Sequence, residues 1–325
     1  MLILVCKYNI IIHNSKGDIM NKLFKKVLYN LTRPYAKKHL TGNLGKVVED
    51  DEKITCYVKK SKVKKEKYNY TIACFGIRDE QKKVAEVYKL NKPICYVIDG
   101  LDFKKHKVYI FGYNDCEVII KNCNFEFDLS LHVNGKCTLD NTNIVTFSYL
   151  SIGANDLIIK NMNKEQIEVI SSKSSIYFNA NDKIEVINSN IGTQKEDIKI
   201  SFWAMNELDI VNSNIYGKEV ICISDKIFVN ENSSLNAKNK VALKTDNFSS
   251  ININSPIIVL NEKEIKNEKS SVVLKNNESL TQKRLELVNL LKLVKTECEH
   301  INSDKMLKYK EELNVKPISK VLKKN

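Results

Sequence analysis

Between about residues 94 and 260 the chain runs in short bursts of alternating apolar and polar positions, the pattern of strands with one buried face. Val118-Ile119-Ile120-Lys121-Asn122-Cys123-Asn124-Phe125 and Val186-Ile187-Asn188-Ser189-Asn190-Ile191 are two such bursts. They recur around a mark that opens on Asn122, Asn141, Asn161, Asn188, Asn212, Asn232 and Asn254, spaced 19, 20, 27, 24, 20 and 22 residues apart. Gly100 fits the same frame one step upstream, so eight marks define seven full turns of about 22 residues.

Three columns support this register. Two residues before the marks stand Ile98, Ile120, Leu139, Ile159, Val186 and Ile210, a column that lapses at Asn230 and Asn252. Three residues after them stand Phe103, Phe125, Ile144, Ile191, Ile215, Leu235 and Ile257, with Lys164 as the exception. Stacked strands that share one core need such columns. One residue before the mark, Asp99, Lys121, Asp140 and Lys160 alternate in sign, and parallel stacking at about 4.8 Å sets each beside its opposite charge. The Asn at the mark suits a bend that needs a left-handed residue, and stacked Asn side chains can bond along the axis. The Asn ladder therefore reads as scaffold.

This repeat resembles the right-handed parallel β-helix proteins of the pectate-lyase-like superfamily, over roughly half the chain and for architecture only. The resemblance implies a mainly β fold with three strands per coil and helical N- and C-terminal caps. It also implies a choice among lyases, glycoside hydrolases, esterases, adhesins, tailspikes and non-catalytic scaffolds, because fold does not fix function. The superfamily's known catalytic patterns do not map onto this sequence. Residues 94–260 hold no Arg to serve as a lyase base and no Asp-Asp pair, and His106 and His132 are followed by Lys107 and Val133 instead of glycine.

One carboxylate pair keeps an enzymatic reading open. Glu185 and Asp209 each stand three residues before a mark, so both should project outward from adjacent rungs about 5 Å apart, the separation a retaining glycosidase uses. The alternative is two acids on a solvated face, relieved by Lys183. Trp203 and Tyr177, in the two longest coils, could stack on sugars or pack as strand residues. Cys74, Cys95, Cys116 and Cys137, each 21 apart, suggest a small interior position that recurs up the stack, and Cys74 suggests that coiling begins before residue 94. Nine cysteines without a C-x-x-C pair argue against a disulfide framework and a zinc cluster, and no metal or cofactor is expected.

Composition changes the picture only when divided along the chain. The net charge of +13 would invite nucleic acid. Residues 1–93 carry +12, residues 94–260 carry −4 and residues 261–325 carry +5, so the positive charge lies in the flanks, which weighs against a nucleic-acid partner. Residues 1–19 read as an upstream start-site extension, 20–93 as a basic N-terminal helix and cap region, 94–260 as the β-helix, and 261–325 as a linker with a C-terminal helical cap. No run reaches the roughly 20 apolar residues of a membrane span. No signal-peptide pattern is present at the start, and a cytoplasmic, or membrane-peripheral, location is expected.

In the N-terminal flank Leu23, Phe24, Val27, Leu28, Leu31 and Tyr35 recur at helical spacing among Lys22, Lys25 and Lys26. The expectation is that this apolar face packs within the protein; the alternative is an anionic membrane surface. Lys59, Lys60, Lys62, Lys64 and Lys65 could grip a polyanion or form a solvated turn between strands. A second helix is predicted over Asp79 to Leu90, with Val84, Val87 and Tyr88 inward. Beyond a short strand near Val272 to Leu274, Ser279-Leu280-Thr281-Gln282 reads as a capping box, and Leu287, Leu291, Val294, Cys298 and Ile301 form a seam suited to an end cap or a homo-oligomer. The leading expectation is a non-catalytic solenoid presenting a face to a glycan or protein partner or to further copies of itself. The alternatives are a carbohydrate-active enzyme using Glu185 and Asp209, and a peripheral membrane or polyanion binder.

Overall fold

A computed structural model describes residues 19–147, 149–163, 166–169, 175–192 and 198–244, with the short strands Val5–Cys6, Asn9–Ile10, Ile251–Ile253, Ile257–Val259 and Ser271–Leu274. The start-site extension, the polar linker, the capping box and the C-terminal seam lie largely or wholly outside the described residues. The protein is a mainly β solenoid whose strands stack in parallel, consistent with a parallel β-helix.

Three stacks of strands wind along the axis. The first contains Asn69–Phe75, Lys107–Tyr113, Leu129–Val133, 149–154, 175–180, Lys199–Ala204, 219–223 and 240–244. The second contains Ile54–Val58, Ile94–Asp99, Glu117–Lys121, Lys136–Asp140, 156–160, 183–187, Glu207–Val211, Lys226–Val229 and Ile251–Ile253. The third holds short strands such as Asn124–Phe125 and Asn143–Thr146. Parallel stacking thus begins at Ile54, well before the first Asn mark, where strand Gly45–Glu49 pairs antiparallel with Ile54–Val58.

The marks bend the chain as their chemistry requires. Asn122, Asn141, Asn161, Asn188 and Asn212 have φ between 46° and 55°, and Gly100 has φ 63°. Their amides bond along the axis: Asn141 Nδ2 donates to Asn122 Oδ1 at 2.8 Å, and Asn161 Nδ2 donates to Asp140 Oδ1 at 2.7 Å. The column before the marks pairs in register, with Lys121 Nζ 3.2 Å from Asp99 and Lys160 Nζ 3.3 Å from Asp140.

Both predicted apolar columns are buried wherever they are described, from Ile98 to Ile210 and from Phe103 to Leu235. Each such side chain contributes about 1.5–3 kcal/mol on burial. At Lys164 the frame slips, and Ile167 takes the rung above Ile144. Cys74, Cys95, Cys116 and Cys137 are all buried but do not form one interior column: Cys74 pairs with Gly112, Cys95 with Glu117 and Cys137 with Val118.

Helix α1, Ile19–Leu40, and helix α2, Lys82–Val87, adjoin the N-terminal end. Ala36 and Leu40 of α1, together with Ala85, Tyr88 and Leu90 from α2 and the residues after it, join the same core as Ile54, Cys56 and Ile72. Two expectations need correction here. Val87 is exposed, and Ala85 and Leu90 take the inward positions beside Tyr88, because the helix stops at Val87 and the chain turns under itself. On α1, Val27, Leu31 and Tyr35 face outward. The inward face carries polar anchors beside Ala36 and Leu40: Arg33 Nη2 donates to Glu49 Oε1 at 2.7 Å while its Nη1 lies 2.7 Å from Oε2 as an ion pair, and Tyr29 Oη donates to the Tyr88 carbonyl at 2.8 Å.

Candidate functional site

The carboxylate pair sits where strand alternation puts it. Ile184 and Val186 point into the core, as do Leu208 and Ile210, so Glu185 and Asp209 face outward and lie directly opposite each other on adjacent rungs. The neighbouring outward column decides their state. Lys136, Asp156, Lys183, Glu207 and Lys226 follow one another in register with alternating charge. Lys183 Nζ lies 2.7 Å from Asp209 Oδ2, 3.0 Å from Glu185 Oε1 and 3.1 Å from Glu207 Oε1.

These distances shape the titration. Burial pushes the Asp209 carboxyl up from its ordinary value, with Glu207 adding to the rise, while Lys183 opposes it. Glu207 is held below the usual range by its hydrogen bond from Lys183. Burial works against the Lys183 ammonium, but bonds to Asp209, Glu185 and Glu207 outweigh it and keep the group charged beyond the ordinary lysine range. A retaining hydrolase needs one carboxyl free to attack and the other free to donate a proton. Here one ammonium ties up both, and it occupies the place a cation would take. Among the described residues no group of three His, Cys, Asp or Glu side chains is placed to hold a metal ion. An open depression lined by Ile77, Lys82, Glu86, Lys92 and Asp115 includes none of the carboxylates of the Lys183 cluster.

Trp203 lies on the outer side of the first stack, yet it is buried in a separate apolar cluster with Ile221, Ile223 and Ala242, against which Tyr177 packs. Trp203 therefore offers no open ring face to a ligand, and Tyr177 only a partly buried one. Among the lysines, Lys59, Lys62, Lys64 and Lys65 are exposed around a 3-10 turn and a short hairpin arm between strands, as a solvated turn requires. Several are engaged locally: Lys60 Nζ donates to the Asp102 carbonyl and lies 5.1 Å from the Phe103 ring, and Lys64 pairs with Glu66 at 2.9 Å. Lys26 is exposed on α1, and the side chains of Lys22 and Lys25 lie outside the described residues.

A group of aromatic residues goes unnoticed in the sequence reading. On the outer side of the first stack, Tyr109, Phe111 and Tyr113 alternate with the inward Val108 and Ile110, and all three rings are partly exposed. Phe75 stacks on Tyr113 at 5.1 Å, Phe111 lies 6.3 Å from both Tyr109 and Tyr113, and Arg78 sits 5.1 Å over Phe75. The same two outward rows continue along the axis as Ser130, Ser151 and Tyr177 and as His132, Gly153 and Asn179. Burial pushes the His132 pKa down, so its imidazole is neutral at neutral pH. The visible signal is Tyr109-Ile110-Phe111-Gly112-Tyr113, a strand with rings on the face that should be polar.

Comparison of the chain with protein-family models, curated proteins and solved structures gives no match in any of the three.

Proposed function

We propose that this protein is a non-catalytic, right-handed parallel β-helix of the pectate-lyase-like kind, closed at both ends by helical caps, which binds an extended glycan along the outer side of its first stack. The observation that carries this reading is the aromatic shelf of Phe75, Tyr109, Phe111 and Tyr113, which runs on into a row of small and polar residues at Ser130, His132 and Ser151. Flat rings beside hydroxyl and imidazole groups suit sugar rings, which offer apolar faces and polar edges. The tied-up carboxylates support binding over hydrolysis. The test is titration of soluble polysaccharides of differing composition against the full chain, F111A, Y113A and D209N. Binding lost in the ring variants and kept in D209N supports the reading. Release of reducing ends that vanishes in D209N replaces it with a hydrolase, and capture of a protein partner by the shelf in place of a glycan also overturns it.

A second reading concerns α1. Val27, Leu31 and Tyr35 follow each other at four-residue spacing, 49%, 64% and 72% exposed, with Lys26 and Lys38 exposed beside them. An apolar stripe flanked by lysines suits the interface of an anionic bilayer, on which the solenoid would be held peripherally. Flotation with vesicles containing anionic lipid should carry the full chain and leave L31D behind. Equal flotation with neutral vesicles, or flotation unaffected by L31D, removes this reading.

A further inference from the structure

Two faces of the solenoid differ in charge at the same rungs. On the second stack, the outward row from Glu117 to Glu207 and the row from Asp99 to Lys160 carry a charge at every rung. The outer side of the first stack carries none. Its rows that begin at Tyr109 and Phe111 end at Tyr177 and Asn179, and the row that begins at Tyr113 continues through Asn134, Asn155 and Asn181 at the corner. A chain with 28% charged residues would place about three among these twelve positions, yet none of the twelve is Asp, Glu, Lys or Arg. Burial keeps the one imidazole, His132, neutral and pushes the Tyr113 hydroxyl up. Most of these residues remain partly exposed, so the face is open.

The rims add no net charge. At the corner Asn155 Nδ2 donates to Asn134 Oδ1 at 2.9 Å and Asn181 Nδ2 to Asn155 Oδ1 at 2.8 Å, and each amide keeps bonding capacity beyond this ladder. On the opposite rim Lys107 lies 3.2 Å from Asp128, and at the N-terminal end Arg78, over Phe75, lies 3.2 Å from Glu80. These charges are balanced in pairs. A carboxylate, sulfate or phosphate laid on the face would lose water without gaining a counter-charge. A neutral sugar meets no such cost, because its apolar faces cover rings such as Phe111 and Tyr177 and its hydroxyls meet amide and hydroxyl groups. From the rung of Phe75 to that of Tyr177 there are four steps, about 19 Å, room for several sugar units along the axis.

We infer that the shelf selects an uncharged polysaccharide, laid lengthwise on the first stack between Phe75 and Tyr177, and rejects acidic ones. The inference rests on the glycan reading and adds the charge class of the ligand.

The test titrates neutral polymers (a β-glucan, a galactomannan and a xylan without acid substituents) and acidic ones (a polyuronate and a sulfated glycan) against the full chain, F111A and Y177A, at about 0.05 M and about 0.5 M salt. At least one neutral polymer should bind, with an affinity that salt changes less than about twofold and that each ring variant weakens about tenfold. Acidic polymers should show no binding that F111A removes. F111A-sensitive binding of an acidic polymer overturns the inference and leaves the glycan reading standing, whereas no F111A-sensitive binding of any polymer removes both. Should the ring variants disturb the fold, the unaltered chain gives an independent answer. Tyr177 packs against the cluster of Trp203, the sole tryptophan, so a polymer that reaches Tyr177 must alter the tryptophan emission. A saturable change with neutral polymers alone supports the inference, and a change with acidic polymers, or with none, overturns it.

Discussion

Lys183 Nζ lies 2.7 Å from Asp209 Oδ2 and, from the same position, reaches Glu185 and Glu207, so one cation holds three carboxylates on two rungs. Lys183→Met keeps the stem and removes the charge. The loss should cost about 2 kcal/mol at neutral pH, the scale of a charged hydrogen-bonded partner. The cost should depend on pH in a definite direction. Asp209 is already raised by burial and rises further without the ammonium, so the folded state binds that proton more tightly than the unfolded state. The variant therefore recovers stability as pH falls through the folded pKa of Asp209, and D209N in the same background restores part of it at neutral pH. Melting temperatures of the three proteins between about pH 7 and pH 5 check this. A deficit in K183M that does not change with pH contradicts the structural role given to the cluster.

Arg33 and Glu49 work in the opposite sense. Burial alone would raise the Glu49 carboxyl, but bonds from Arg33 and Lys92 outweigh it and hold the group below its ordinary value of 4.5. A depressed carboxylate contributes stability that is present above its unfolded value and lost as pH falls through the folded one. E49Q should lose about 2 kcal/mol at neutral pH and show a flatter acid limb in thermal melts. Arg33→Lys should retain little of the contact, because one planar group both donates to Glu49 Oε1 and sets a second nitrogen 2.7 Å from Oε2, which a single ammonium cannot do.

The repeat was readable because each feature of the scaffold depends on residue type at a fixed step. Left-handed bends select Asn or Gly, inward positions select Ile and Phe, and the column from Asp99 to Lys160 pairs across rungs. The ladder through Lys136, Asp156, Lys183 and Glu207 was equally readable, five residues before consecutive marks, and it settles the surroundings of Glu185 and Asp209. Two things were not readable. Helical periodicity lists the apolar residues of α1 but not which side packs, and that choice is made by Glu49, sixteen residues from Arg33. In strand Lys199–Ala204 alternation sets Ile200, Phe202 and Ala204 against Lys199, Ser201 and Trp203, but it does not tell that Ser201 and Trp203 on the outward side are buried as well, so the burial of Trp203 was not readable.

The Asn marks separate backbone from side-chain effects. Asn188 has φ 48°, and its Oδ1 accepts from Asn212 Nδ2 at 3.3 Å. Asn188→Gly keeps the left-handed bend and loses only the weak ladder bond, so it should cost less than about 1 kcal/mol. Asn188→Ala keeps a Cβ in that conformation without the short polar side chain that lets Asn tolerate it, so it should be about 1–2 kcal/mol less stable than the Gly variant. Denaturant titration of the two variants should therefore rank Gly above Ala, the reverse of their usual order in a strand.

The thiols give a last measurable consequence of the packing. Seven cysteines, from Cys56 to Cys222, are buried in the described solenoid. Burial pushes the Cys56 and Cys123 thiols up to about 11 and those of Cys95, Cys116 and Cys222 up to about 12. At neutral pH the reactive thiolate is then on the order of one part in ten thousand or less for these five, and access is blocked as well. An aromatic disulfide reagent should leave all seven unmodified in the native protein and label them together in denaturant. Because the seven span rungs from Ile54–Val58 to 219–223, labelling in one phase reports cooperative unfolding of the stack. An early phase confined to Cys222 would instead show the solenoid opening first from its C-terminal end.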